Sequence, residues 1–125
     1  MNADRLQEYL LEMEDHPSFG YLTPPITVRS ENGCGDTPLH VAVRRGDFEI
    51  VCDMLEAGAD IDKSGEESFT PLHYAIMFDD VAMVRLLLDR GARIETMSGW
   101  GETPLESATR RGIAEIITAI QARVA

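Results

Sequence analysis

An all-α solenoid of stacked helix-turn-helix units is the fold this sequence predicts, and three observations predict it. Thr-Pro-Leu-His at 37–40 returns at 70–73, and Thr-Pro-Leu-Glu stands at 103–106, a constant offset of 33 residues. Ala42, Ala75 and Ala108 each lie five residues past a motif Thr. An apolar stripe at helical spacing follows each motif. In such a repeat every unit leaves an apolar face open until a neighbour covers it, so stability accumulates along a line.

In the first unit, Thr37 is placed to cap a helix through its side-chain oxygen, and Pro38 sits where a missing N–H costs nothing. Leu39, Ala42 and Val43 recur at helical spacing until Gly46, which supplies left-handed backbone. A second helix carries Ile50, Val51, Met54 and Leu55 on one stripe and closes at Gly58. The second unit repeats these steps from Thr70 and Pro71, with Met83, Val84, Leu87 and Leu88 on the stripe and Gly91 at the end. Asp79 stands where Gly46 and Gly112 stand in its neighbours, a position that strains any residue but glycine. If the backbone there has positive φ, Asp79→Gly is expected to stabilise the fold by roughly 0.5 to 1 kcal/mol.

The third unit opens at Thr103 and Pro104 and departs from the pattern as a terminal cap does. Glu106 replaces the motif His, Gln121 replaces Leu55 and Leu88, and Val124 replaces the closing Gly. Polar replacements suit a last unit whose outer face meets water. The expected units are 32–64, 65–97 and 98–125. Residues 1–31 form a leader. Leu6, Leu10 and Met13 make an amphipathic helix in it, and tandem prolines, an Ile-Thr-Val run and an Asn-Gly turn follow. We read this leader as a cap, with a docking segment as the alternative.

The chain has 22 acidic and 11 basic side chains, a net charge of −11. That balance opposes attraction to nucleic-acid phosphates and anionic membranes, so the expected partner is a protein. No stretch reaches the roughly 18 apolar residues of a spanning helix, and the N-terminus lacks a basic-then-apolar signal. The chain reads as soluble, cytoplasmic and monomeric. Cys34 and Cys52 fall on different parts of the repeat and read as free thiols.

On these motifs the sequence resembles the ankyrin-repeat family over residues 32–125. That resemblance implies protein binding through a concave surface built from the inner helices and the tips of hairpin-like finger loops. It places variable positions just before each motif Thr and seven and eight residues after it. The later pairs are Arg44 and Arg45, Met77 and Phe78, Arg110 and Arg111. The fingertip positions are Cys34 and Asp36, then Glu66, Glu67 and Phe69, then Trp100 and Glu102. Stacked, they would form an inner strip basic at both ends and apolar in the middle, flanked by acids and two aromatics. Arginine and aromatic side chains dominate interface energies, which favours this surface as the contact. The plainer reading makes the four arginines helix ends that offset local acids and helix dipoles.

His40 and His73 could suggest metal binding or acid–base chemistry. The resemblance makes them structural instead, bonded to backbone and linking adjacent units. Asp60, Asp62, Ser64 and Gly65 match the opening of a calcium loop, but its twelfth position, which needs a bidentate Glu, is Pro71. No phosphate loop, nucleophile elbow or cysteine metal cluster appears, so no enzyme activity, metal or cofactor is expected. The expected function is therefore a protein-interaction module. The alternative is an acidic inhibitor or immunity-type protein that captures a cationic toxin or enzyme by electrostatic steering.

Overall fold

The computed structural model describes residues 3–17, 19–20, 22 and 25–124. Among them are seven α-helices and no strand: α1 (Ala3–Glu14), α2 (Pro38–Arg45), α3 (Phe48–Glu56), α4 (Pro71–Met77), α5 (Val81–Asp89), α6 (Pro104–Arg111) and α7 (Ala114–Gln121). Each of α2, α4 and α6 pairs with the helix that follows it, and α4 also packs on both α2 and α6. On the other layer α1 lies on α3 and α7 on α5. The result is a linear stack of helical hairpins, two layers thick.

Local chemistry explains why each hairpin begins and ends where it does. Pro38, Pro71 and Pro104 each open an inner helix, where proline's fixed φ suits the first turn. The hydroxyls of Thr70 and Thr103 accept from the N–H groups of His73 and Glu106 at 3.3 and 3.2 Å. At Thr37 the hydroxyl instead lies 3.0 Å from Nδ1 of His40. Gly46 and Gly112 terminate α2 and α6 in left-handed backbone, φ 72° in both. Asp79 adopts the same conformation, φ 57°.

The core runs along the array rather than around a centre. Leu39, Leu72, Val51, Val84, Met54, Leu87, Ile116 and Ile120 are fully or almost fully buried between successive units. Fingers connect the hairpins. In each, one N–H closes the loop onto a carbonyl four residues on: Asn32 to Asp36 at 2.9 Å, Gly65 to Phe69 at 2.8 Å, Ser98 to Glu102 at 2.9 Å. The expected hairpin-like fingers are thus tight turns. One closing bond does not extend into a ladder, which is why no strand forms.

The motif histidines connect one unit to the next. In His40, Nδ1 accepts the N–H of Thr37 at 2.9 Å, while Nε2 donates to the carbonyl of Lys63 at 2.8 Å. His73 does the same with Thr70 at 3.3 Å and Glu102 at 3.1 Å. Glu106 keeps only the local half, its Oε1 accepting the N–H of Thr103 at 3.0 Å. No finger follows it among the described residues, and a carboxylate completes the capping box as well as an imidazole would.

At the N-terminal end α1 buries Leu6, Tyr9, Leu10 and Met13. Tyr9, Leu10 and Met13 repeat the spacing of Ile50, Val51 and Met54, so α1 takes the position that the outer helix of a preceding unit would occupy. Arg5 anchors it, donating to buried Asp53 at 2.8 Å and to Glu49 at 2.6 Å. Phe19 and Ile26 are also buried, so the leader covers the first hairpin with no inner helix among its described residues. The tandem-proline segment falls partly outside the described residues, since Pro24 is not among them. At the other end Arg123 donates to the carbonyl of Leu88 at 3.3 Å and pairs with Asp89, tying the last turn back to α5.

Candidate functional site

The inner face of the stack is organised by a register of eight residues within each unit. In the first unit the Asp36 carboxylate meets the Arg44 guanidinium at 3.3 Å. In the third, Arg110 grips Glu102 with two bonds, 2.8 and 3.1 Å. At the same register in the second unit stand Phe69 and Met77, which line one cleft together. A salt bridge, an apolar pair and a salt bridge therefore succeed one another along the face.

That arrangement corrects the expectation of a strip basic at both ends. Arg111 forms a paired contact with Asp79 of the preceding unit, 2.7 and 3.0 Å. Arg44 stacks over Tyr74 at 5.0 Å, and Arg45 over Tyr9 at 5.6 Å with a 3.4 Å bond to the Tyr9 hydroxyl. Arg110 lies 5.9 Å from the Trp100 ring centre. Three of the four guanidiniums are thus met by carboxylates and the fourth by an aromatic ring. Asp79 and Glu102 are held below the usual carboxylate range by their hydrogen bonds to Arg111 and Arg110, and so stay ionised.

Two residues expected at the contact surface are buried. Asp36, 2% exposed, accepts from the Tyr74 hydroxyl at 3.2 Å and from the N–H of Glu66 at 3.0 Å. It is a structural anion shared by two units, and a partner cannot touch it. Burial pushes the Tyr74 hydroxyl upward, and neighbouring Asp36 adds to the shift, so it remains a protonated donor. Phe69, 6% exposed, is covered because Trp100 packs edge-on against it at 5.0 Å and Tyr74 at 5.5 Å. Of the two fingertip aromatics, Trp100 is the one left for a partner.

Trp100 is 58% exposed and Phe78 is 52% exposed. Trp100, Met77, Phe69, Arg110 and Arg111 converge on a small, shallow cleft between the second and third units. Phe78, at the C-terminal end of α4, and Arg45, against the leader, are not among the residues lining it. Glu66 and Glu67 are exposed on the second fingertip. That fingertip touches the third, the N–H of Gly99 donating to the Glu67 carbonyl at 2.6 Å. Cys34 is an exposed free thiol on the first fingertip, and Cys52 a half-buried one on α3.

Sequence reasoning passed over Tyr74, Ser107 and Asp79 as parts of this face. Ser107 donates to Glu102 at 3.1 Å. The acid–arginine register at 36 and 44 and again at 102 and 110 was a readable signal for the salt bridges. Nothing in the repeat announced Tyr9, because the leader lies outside the register.

His40 and His73 are buried, which lowers the pKa of each. Both ring nitrogens are occupied by partners within the protein, leaving none for a metal. Among the described residues no group of three or more His, Cys, Asp or Glu is placed to hold a metal ion. Asp60 accepts the N–H of Asp62 at 3.0 Å, and Asp62 that of Arg93 at 2.8 Å, so both carboxylates serve the backbone. No helix among the described residues is long and apolar enough to cross a membrane.

The stacked hairpins and their shared capping boxes define a helical-repeat binding scaffold. The family model for ankyrin repeats (3 copies) matches residues 6–98 and 39–123. The chain belongs to the ankyrin-repeat family, whose members are generally protein–protein interaction modules and typically non-enzymatic. A comparison with curated proteins finds no match.

Proposed function

We propose that this protein binds a partner protein through the inner face of its stack, with the cleft beside Trp100 as the centre of contact. The observation that carries this reading is the exposed indole. An aromatic side chain kept in water while its neighbours are packed forgoes the stabilisation of burial, which partner contact would recover. The surrounding salt bridges supply a polar rim, and an apolar centre within a polar rim is the usual anatomy of a recognition surface. The reading involves no catalysis and no cofactor.

Capture of partners from native extract tests it, comparing the wild type with Phe78→Ala/Trp100→Ala. Both side chains are more than half exposed; a circular-dichroism melt checks that the variant, which uncovers Phe69, is still folded, and recovery of the principal partner drops at least about tenfold. Equal recovery by the two proteins would remove the inner face as the contact.

The net charge of −11 favours a second reading, an acidic inhibitor steered onto a cationic toxin or enzyme. Salt separates the two. Steered capture slows steeply as ionic strength rises, whereas an apolar contact centred on Trp100 associates at a nearly constant rate.

A further inference from the structure

We infer that the cleft between the second and third fingers accepts an extended partner segment that sets an apolar side chain against Trp100 and a cationic side chain beside Glu66 and Glu67. This rests on the inner-face reading and specifies its occupant.

The charge balance of the cleft supports this assignment. Its two guanidiniums, Arg110 and Arg111, are each met by a carboxylate, Glu102 and Asp79. The second fingertip adds two more acids, and no salt bridge to Glu66 or Glu67 forms among the described residues. The second fingertip, which touches the finger that carries Trp100 through Gly99, therefore adds two unpaired negative charges beside the cleft.

The backbone that carries these acids is held in place. The N–H of Glu66 is bound to buried Asp36 at 3.0 Å, and the carbonyl of Glu67 to Gly99 at 2.6 Å. A side chain at Gly99 would lie 2.7 Å from that carbonyl, so the close approach needs glycine. Glu67 and Ser68 hold left-handed backbone at φ 56° and 58°, a conformation the two flanking contacts help maintain. Side chains carried on backbone fixed before binding leave less freedom to be lost on meeting a cation than a mobile loop would.

The same features disfavour other occupants. An anionic segment would have to displace Asp79 or Glu102 from paired contacts with arginine. A second copy of the chain carries the same −11 charge and is repelled. A cation next to an exposed indole also gains from the ring's negative face.

The chain contains a single tryptophan, so its fluorescence reports on this cleft alone. The probes are short synthetic peptides with a central leucine flanked by arginines, by glutamines or by glutamates. The arginine peptide shifts Trp100 emission in a saturable way and binds at least about tenfold tighter than the glutamine peptide. Glu66→Gln/Glu67→Gln, which changes only exposed side chains, weakens the arginine peptide about 3- to 10-fold and leaves the glutamine peptide unchanged.

The inference is overturned if the glutamate peptide binds as tightly, if the double variant binds the arginine peptide like the wild type, or if no peptide binds. An emission change with protein concentration alone, indicating self-association, overturns it too. Tight binding of the glutamine or glutamate peptide would leave the inner-face reading standing, whereas unchanged partner capture by Phe78→Ala/Trp100→Ala would remove both.

Discussion

Asp79 shows how one position can serve backbone and interface together. Its units' counterparts, Gly46 and Gly112, turn the chain with positive φ at no steric cost, while Asp79 holds φ 57° with a side chain attached. That side chain reaches the next unit and grips Arg111 with two bonds. The expected gain from Asp79→Gly is therefore offset by the loss of an inter-unit ion pair. At about 1 M salt, where the pair is screened, the variant should melt about 2–3 °C above the wild type. At low salt the difference should shrink. A scanning-fluorimetry melt at both salt concentrations decides it, and a lower midpoint at high salt would contradict strain at this residue.

The inner helices depend on histidines in one protonation state. Nδ1 of His40 and His73 accepts a backbone N–H, so the ring must be neutral there while Nε2–H donates to the next finger. Burial lowers both pKa values below the ordinary 6.5. The unfolded chain then takes up protons that the folded chain refuses. Stability is full above about pH 6.5 and falls as pH drops from there through the folded-state values. Urea midpoints measured between about pH 7.5 and 5 should decline, and more gently in His73→Gln once its lower starting stability is subtracted. A flat profile would mean that the rings do not titrate with unfolding. Glu106 caps α6 through a carboxylate oxygen in place of a ring nitrogen.

Across the whole molecule, stability depends on each unit having a neighbour. Leu87 and Ile120 stand at equivalent positions and are both fully buried, but Leu87 lies in the middle unit and Ile120 in the last. Leu87→Ala should cost about 3 kcal/mol, and Ile120→Ala about 2 kcal/mol, because α7 packs only on α5 and α6 among the described helices and relaxes more readily into the cavity. Urea unfolding with a single transition in each case would show the units coupled. Equal costs would argue against the end being softer.

The fold was legible from the amino-acid order because each unit is specified locally. A capping Thr, a first-turn Pro, an apolar stripe and a terminal Gly act within about twenty residues of one another, and the 33-residue period repeats them in phase. The arginines and Trp100 were also legible as candidates. Which of them stays exposed was decided only by the tertiary structure, because burial, and the pairing of Arg111, depend on contacts between units. Stacking hid Asp36 and Phe69, gave Arg111 to Asp79, and left the arginines of an expected basic strip already paired around one exposed indole. Charge counted along the chain carries no information about which opposite charge stands within 3 Å in space.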